Sequence, residues 1–186
     1  GGDDTFGARD VNNPAYETTL SGDIGIIGDT SDNAYIVVTD TTGFAFGYLD
    51  GVTIIGANNH AIYCDGSSPT LANLTIRDNE STTYGAGLAA EYGSRPIVTK
   101  CLFINNAAPN GTGGAVFNGD ASDAEYTACR FTANTAGGGG GGAVHNIGSS
   151  PRFTDCTFTD NTSFGGGAVR SDYSTLTLWR CVLEGN

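Results

Sequence analysis

The stretch Cys101-Leu102-Phe103-Ile104-Asn105-Asn106 decides how this chain folds, because it returns. Cys129-Arg130-Phe131-Thr132-Ala133-Asn134 follows it, then Cys156-Thr157-Phe158-Thr159-Asp160-Asn161, then Cys181-Val182-Leu183-Glu184-Gly185-Asn186. Upstream, Leu74-Thr75-Ile76-Arg77-Asp78-Asn79 is the same unit and Val52-Thr53-Ile54 a weaker copy. Units starting at 52, 74, 101, 129, 156 and 181 are 22, 27, 28, 27 and 25 residues long. A second marker sits midway in each: Gly113-Gly114-Ala115-Val116, Gly141-Gly142-Ala143-Val144 and Gly166-Gly167-Ala168-Val169, with Gly85-Ala86-Gly87-Leu88 a variant. A third lies five residues before each Cys-type position, at Pro69, Pro96, Ala124, Pro151 and Leu176. Three markers in one phase over five units establish an internal repeat.

Within a unit the apolar runs alternate with period two, as in Cys156 and Phe158 against Thr157 and Thr159. The runs are too short for helices, and Gly, Pro, Asn and Asp punctuate them. A unit of this size cannot bury its own apolar face, so it must stack on its neighbours. The expected fold is therefore all-β: a right-handed parallel β-helix, a solenoid of the pectin-lyase-like kind, with six to seven coils of 22–28 residues. Rungs about 4.8 Å apart make this a rod about 30 Å long. Stacking in register puts like on like. Cys101, Cys129, Cys156 and Cys181 form one inward column, capped by Leu74 and Val52. Ile54, Ile76, Phe103, Phe131, Phe158 and Leu183 form a second, and Leu49, Leu71, Val98, Tyr126, Phe153 and Leu178 a third. Asn79, Asn106, Asn134, Asn161 and Asn186 mark the corner after the Phe strand, where stacked amides bond along the column. The Gly pairs before Ala-Val read as corners needing positive φ or room for neighbouring backbone. A phosphate-binding loop is a poor reading there, since no helix follows and no Lys is near.

Residues 1–51 are less regular and are expected to form irregular N-terminal coils, with regular repeats over 52–186 of one continuous solenoid. Thr18–Gly22, Tyr35–Val38 and Phe44–Leu49 read as strands, with a polar loop at Asp29-Thr30-Ser31-Asp32-Asn33. The chain has 186 residues, 29 Gly, a single Lys (Lys100) and no Met. No stretch is long and apolar enough to cross a membrane as a helix. Net charge is −12, with a pI near 4.2. Such a surface repels phosphates and anionic lipid, which argues against nucleic-acid partners and direct membrane insertion. The acidity serves solubility, or marks a protein exposed to salt or divalent cations outside the cell.

The paired Gly-Gly-Ala-Val and Phe-x-x-Asn signatures resemble the repeats of the polymorphic outer membrane protein family. Thr19–Gly25, Gly28–Asn33 and Leu49–Ile54 resemble the entry coils of bacterial right-handed parallel β-helix repeat proteins. The resemblance spans most of residues 18–186. It implies a secreted or surface-exposed rod, often part of an adhesin or autotransporter-like passenger.

The candidate site residues are few. Five Cys in a secreted protein suggest disulfides, but in-register neighbours hold their Cβ atoms near the rung spacing, wider than the roughly 3.8 Å a bridge prefers. Free thiols acting as small core residues are the preferred reading, strained bridges the alternative. Cys64 lies outside the column. His60 and His145 differ in phase, which argues against a triad. Asp65, Glu91 and Asp172 share a phase, yet Gly119 and Ile147 interrupt any carboxylate column of the sort a lyase or hydrolase needs. The Arg residues fall in different phases. Calcium is the one cofactor considered, on Asp23, Asp29 and Asp32; a self-bonded Asx-turn loop is the competing reading. Thr99, Thr127 and Thr154 form an outward column three rungs long, most simply β-branched filling of a strand face; ice binding is a remote third function. The expectation is thus a non-catalytic extracellular or bacterial cell-surface module, structural or adhesive. Its partners would be other cell-surface proteins, glycans, or itself through open β-helix ends in a filament. The alternative is a carbohydrate-active β-helix, pectate-lyase-like or a glycoside hydrolase, with its site outside or only partly inside this segment.

Overall fold

The structure, a computed structural model, describes residues 17–41 and 47–186. All of its regular elements are short strands, and every pairing between them is parallel. Three sheets run the length of the stack. The first has seven strands: Thr18–Ser21, Val52–Ile55, Thr75–Arg77, Leu102–Ile104, Arg130–Thr132, Thr157–Thr159 and Val182–Glu184. The second has six, Ile36–Asp40, His60–Asp65, Leu88–Glu91, Val116–Asn118, Val144–Ile147 and Val169–Asp172. The third also has six, Tyr48–Asp50, Thr70–Ala72, Ile97–Thr99, Glu125–Thr127, Arg152–Thr154 and Thr177–Trp179. A small ladder of Ala107–Ala108, Thr135–Ala136 and Thr162–Ser163 lies between the first and second sheets. This is a parallel β-helix, as the repeat requires.

The coil count needs correction. Six to seven coils follow from counting rungs, but the described residues complete five regular turns between Val52 and Val182. One wider turn precedes them, from Thr18–Ser21 to Val52–Ile55. The seven rungs of the first sheet exceed the regular turns because rungs count fence posts and this entry turn carries the polar loop. Part of the strand expected over Phe44–Leu49 lies outside the described residues; Tyr48–Asp50 is a strand.

Inside, like does stack on like. Phe103 and Phe131 lie face to face at 4.9 Å, Phe131 and Phe158 at 4.7 Å, and Tyr126 and Phe153 at 4.5 Å. These spacings are the rung spacing, so the backbone ladder sets the ring stacking. The two aromatic columns meet edge-on, with Phe131 6.0 Å from Phe153 at 70°, the arrangement ring quadrupoles favour. Buried Phe and Tyr side chains each remove roughly 150–250 Å² from water, which makes these columns the main apolar contribution to the core.

Two corners in each coil are single residues with left-handed backbone. Asn73, Lys100, Ala128, Asp155 and Arg180 precede the Leu74/Cys column with φ between 52° and 55°. Asp78, Asn105, Ala133 and Asp160 precede the Asn column with φ between 53° and 56°. Gly, Pro, Asn and Asp were expected at every corner, yet Lys, Ala and Arg occupy some of these. Such a conformation costs an L-residue roughly 1–2 kcal/mol. At all of them but Arg180, on the last rung, the N–H donates to the next coil and holds it, as Lys100 N does to Thr127 O (2.9 Å) and Ala133 N to Thr159 O (3.0 Å).

Candidate functional site

The Asn column is a continuous hydrogen-bonded wire. Asn106 Nδ2 donates to Asn134 Oδ1 (3.1 Å), Asn134 Nδ2 to Asn161 Oδ1 (2.9 Å) and Asn161 Nδ2 to Asn186 Oδ1 (2.8 Å). Each amide also reaches back one coil, as Asn134 Nδ2 does to Phe103 O (3.0 Å), and accepts the preceding Asn N–H. Asn79 continues it, donating to Asn106 and to Ile54 O. A second amide row, unread in the sequence, lies inside the second sheet. Tyr126 Oη donates to Asn118 Oδ1, Asn118 Nδ2 to Asn146 Oδ1, and Asn146 Nδ2 to Ser171 Oγ, all at 2.9 Å. Its signal was present, two residues after each apolar end of the Gly-Gly-Ala-Val marker.

The cysteines are all free thiols. Cys101, Cys129 and Cys156 are buried just after a left-handed corner, with Cys181 half-buried at the last rung. Their sulfurs lie 3.4–3.6 Å from backbone carbonyls. The Cys129 thiol beside Cys101 holds Cys101 down and is itself pushed up to about 12. Cys64, buried in the second sheet, is pushed up to about 12 by burial.

The outer face of the second sheet carries the densest chemistry. Tyr63, Ala89, Phe117, His145 and Arg170 stand in register along it, beside Asp65, Glu91, Ile147 and Asp172. The Gly-rich arm of each coil lies over this face, bringing Tyr84 back onto it. Tyr63 and Tyr84 both donate to Glu91 Oε2 at 3.1 Å, and Glu91 is buried. Burial and then the Glu91 carboxylate raise both phenols, Tyr84 to about 12. His60 stacks on Tyr63, with centroids 5.4 Å apart, and donates from Nδ1 to Gly85 O at 3.0 Å. Burial lowers its pKa. Rings then run from His60 to Tyr84 (5.3 Å), Phe117 (4.4 Å) and His145 (6.0 Å). The two histidines that differ in phase are thus joined through Tyr84 and Phe117; Tyr84 is the register mate of Thr112 on the next coil, where its ring is not repeated. His145 Nε2 lies 2.9 Å from Asp172 Oδ2, which also accepts from Arg170 Nε at 2.8 Å. Those two bonds hold the Asp172 carboxyl below its ordinary range.

Glycine makes the covering arms possible. A Cβ on Gly142 would lie 2.2 Å from Gly167 O and 2.6 Å from Thr162 N, and Gly113 has φ +62°. Of the two roles expected for the Gly pairs, close backbone approach dominates at Gly114, Gly142 and Gly167.

The loop carboxylates Asp23, Asp29 and Asp32 are bonded within their own loop. Gly28 N donates to Asp23 (3.0 Å), Ser31 N and Oγ to Asp29 Oδ1 (2.9 and 2.6 Å), and Ile26 N to Asp32 Oδ2 (2.9 Å). The Ser31 bonds lower the Asp29 pKa. Among the described residues no three His, Cys, Asp or Glu side chains gather into a group able to hold a metal. In the third sheet, Thr99, Thr127 and Thr154 occupy successive rungs, between Ala72 and Trp179.

Stacked parallel sheets with amide and aromatic ladders define a parallel β-solenoid. A family model described as a right-handed β-helix region matches residues 22–183. The chain belongs to that family. No curated protein and no solved structure gave a match.

Proposed function

We propose that this chain is a non-catalytic β-helix module of an extracellular or cell-surface protein, with a structural and adhesive role. The carrying observation is the unbroken Asn wire, which ties each coil to the next through side-chain as well as backbone bonds. A stack cross-linked in this way is a stiff support for exposed side chains such as Tyr48, Ile97 and Trp179 on the third sheet. The likeness of its repeats to polymorphic outer membrane proteins supports a surface role, and the charge of −12 supports an ionic extracellular setting.

One observation favours a second, carbohydrate-active reading. Asp65 and Glu91 are in register on adjacent rungs, near the roughly 5 Å separation of carboxylates in retaining glycosidases. Against it, Glu91 is buried and one of its oxygens serves two tyrosines. Incubation with neutral and acidic polysaccharides, with and without calcium, separates the two. Retention of polymer without cleavage is expected; release of reducing or unsaturated ends, abolished by Glu91→Gln, overturns the non-catalytic reading.

A further inference from the structure

Asp65 and Glu91 face outward on adjacent rungs of the second sheet, in register. The ladder sets such neighbours about 4.8 Å apart at the backbone. Glu91 is only 7% exposed, and its Oε2 accepts from Tyr63 and Tyr84. Its other oxygen, Oε1, accepts no hydrogen bond from any described residue, yet it is not sealed from solvent. Among the described residues no Arg, Lys or His forms an ion pair with either carboxylate. His60, the imidazole stacked on Tyr63, is committed to Gly85 O, and burial lowers its pKa. After burial itself, the charge of Glu91 and then that of Asp65 raise the Tyr63 phenol, with no cation offsetting them. A buried carboxylate is costly unless a counter-charge or enough donors meet it. Two phenols meet one oxygen of Glu91; the outward one is left.

No third His, Cys, Asp or Glu among the described residues joins the pair, so a metal ion would lack ligands there. The surroundings are aromatic instead. Tyr92 follows Glu91 in the chain and is 61% exposed. It stands close enough to Tyr84 to raise that phenol further, after burial and Glu91. We propose that this outward pair binds a guanidinium group, the side chain of an arginine presented by a partner protein. A guanidinium is planar, carries five N–H donors and stacks on aromatic faces. It can bridge Glu91 Oε1 and the Asp65 carboxylate with charge-assisted bonds while its face meets Tyr92. A lysine ammonium is a compact, strongly hydrated charge that gains less from such a setting. The net charge of −12 draws a cationic partner toward the surface. This site goes beyond the adhesive reading and does not depend on it.

The test titrates the whole chain with a short arginine-containing peptide, and with the same peptide carrying lysine instead. Ring resonances of the tyrosines are followed by NMR. Saturable shifts at Tyr63, Tyr84 and Tyr92 are expected, with a Kd of about 1 mM that rises as salt is added. The lysine peptide should bind several-fold more weakly. Glu91→Gln and Asp65→Asn should each weaken the arginine peptide about tenfold, through loss of a charge-assisted bond. Tyr92→Ala should weaken it about threefold. Gln keeps an acceptor for both phenols, with circular dichroism as the check on folding; Asp65→Asn, at a half-buried residue, is the second variant. Glu125→Gln, on the third sheet, should leave affinity unchanged. No shift at these tyrosines up to about 20 mM, well above that Kd, overturns the proposal. So does equal binding of the lysine peptide, or binding that Glu91→Gln and Asp65→Asn both leave unaltered.

Discussion

The interior of the stack and the outer face of its second sheet use the same strands in opposite ways. Inside, the columns on and beside the first sheet repeat one chemistry: Asn on Asn, Phe on Phe, thiol on thiol. Outside, successive rungs carry Tyr63, Ala89, Phe117, His145 and Arg170, and no two are alike. Those columns repeat because each side chain there packs against its register mate one rung above and below, at a spacing the ladder fixes. The outer layer meets an arm that differs from coil to coil, so each rung finds its own partner: Glu91 two phenols, Asp172 a His and an Arg. Repetition therefore marks where the fold is specified, and irregularity marks where this chain's individuality lies.

The contrast is broken most severely by Asn134→Ala. That side chain donates to Phe103 O and Asn161 Oδ1 and accepts from Asn106 N and Nδ2. Its removal strands several buried polar groups. A loss of roughly 3–5 kcal/mol is expected from such unpaired groups, read as a lower denaturation midpoint in urea. A loss below about 1 kcal/mol would show that the wire is decorative and that the columns and the outer face are energetically alike.

Tyr84→Phe probes the outer layer with a smaller effect. It keeps the ring against Phe117 and His60 but removes the donor to Glu91, which retains Tyr63. About 1 kcal/mol is expected, again from the urea midpoint. A cost equal to that of Asn134→Ala would place the outer seam on a par with the interior.

The finest effect is one of pH. Burial lowers the His60 pKa, so the folded state holds it neutral while the unfolded chain binds a proton below about 6.5. The unfolded state then carries more protons, and stability falls as pH drops from about 6.5 toward the folded pKa. In His60→Gln this part of the slope should vanish in denaturation series across that window. An unchanged slope would assign acid sensitivity to other groups.

How much was legible follows from the same contrast. The Cys, Phe, Leu-type and Asn columns were readable because stacking imposes one phase on the chain. The second amide row at Asn118, Asn146 and Ser171 had the same phase, but the change from Asn to Ser hid it. The left-handed corners at Lys100, Ala128 and Ala133 were not readable, since nothing in those residue types favours positive φ; the coil-to-coil N–H bonds impose it. Tyr84 and Glu91 could not be paired from spacing, because the register mate of Tyr84 is Thr112, and nothing in the repeat shows that this place in the arm meets the sheet. The acidic loop drew attention by composition, yet its carboxylates bond to their own backbone.

By itself, then, the sequence determined the parallel β-helix, the phase of its strands and the residues that fill its interior, because a one-dimensional stack turns contact into periodicity. Tertiary structure alone decided which outward groups meet: Glu91 with two tyrosines, and His145 with Asp172. Those contacts join residues from different arms and coils at unequal separations, and only the folded path of the backbone fixes their distances.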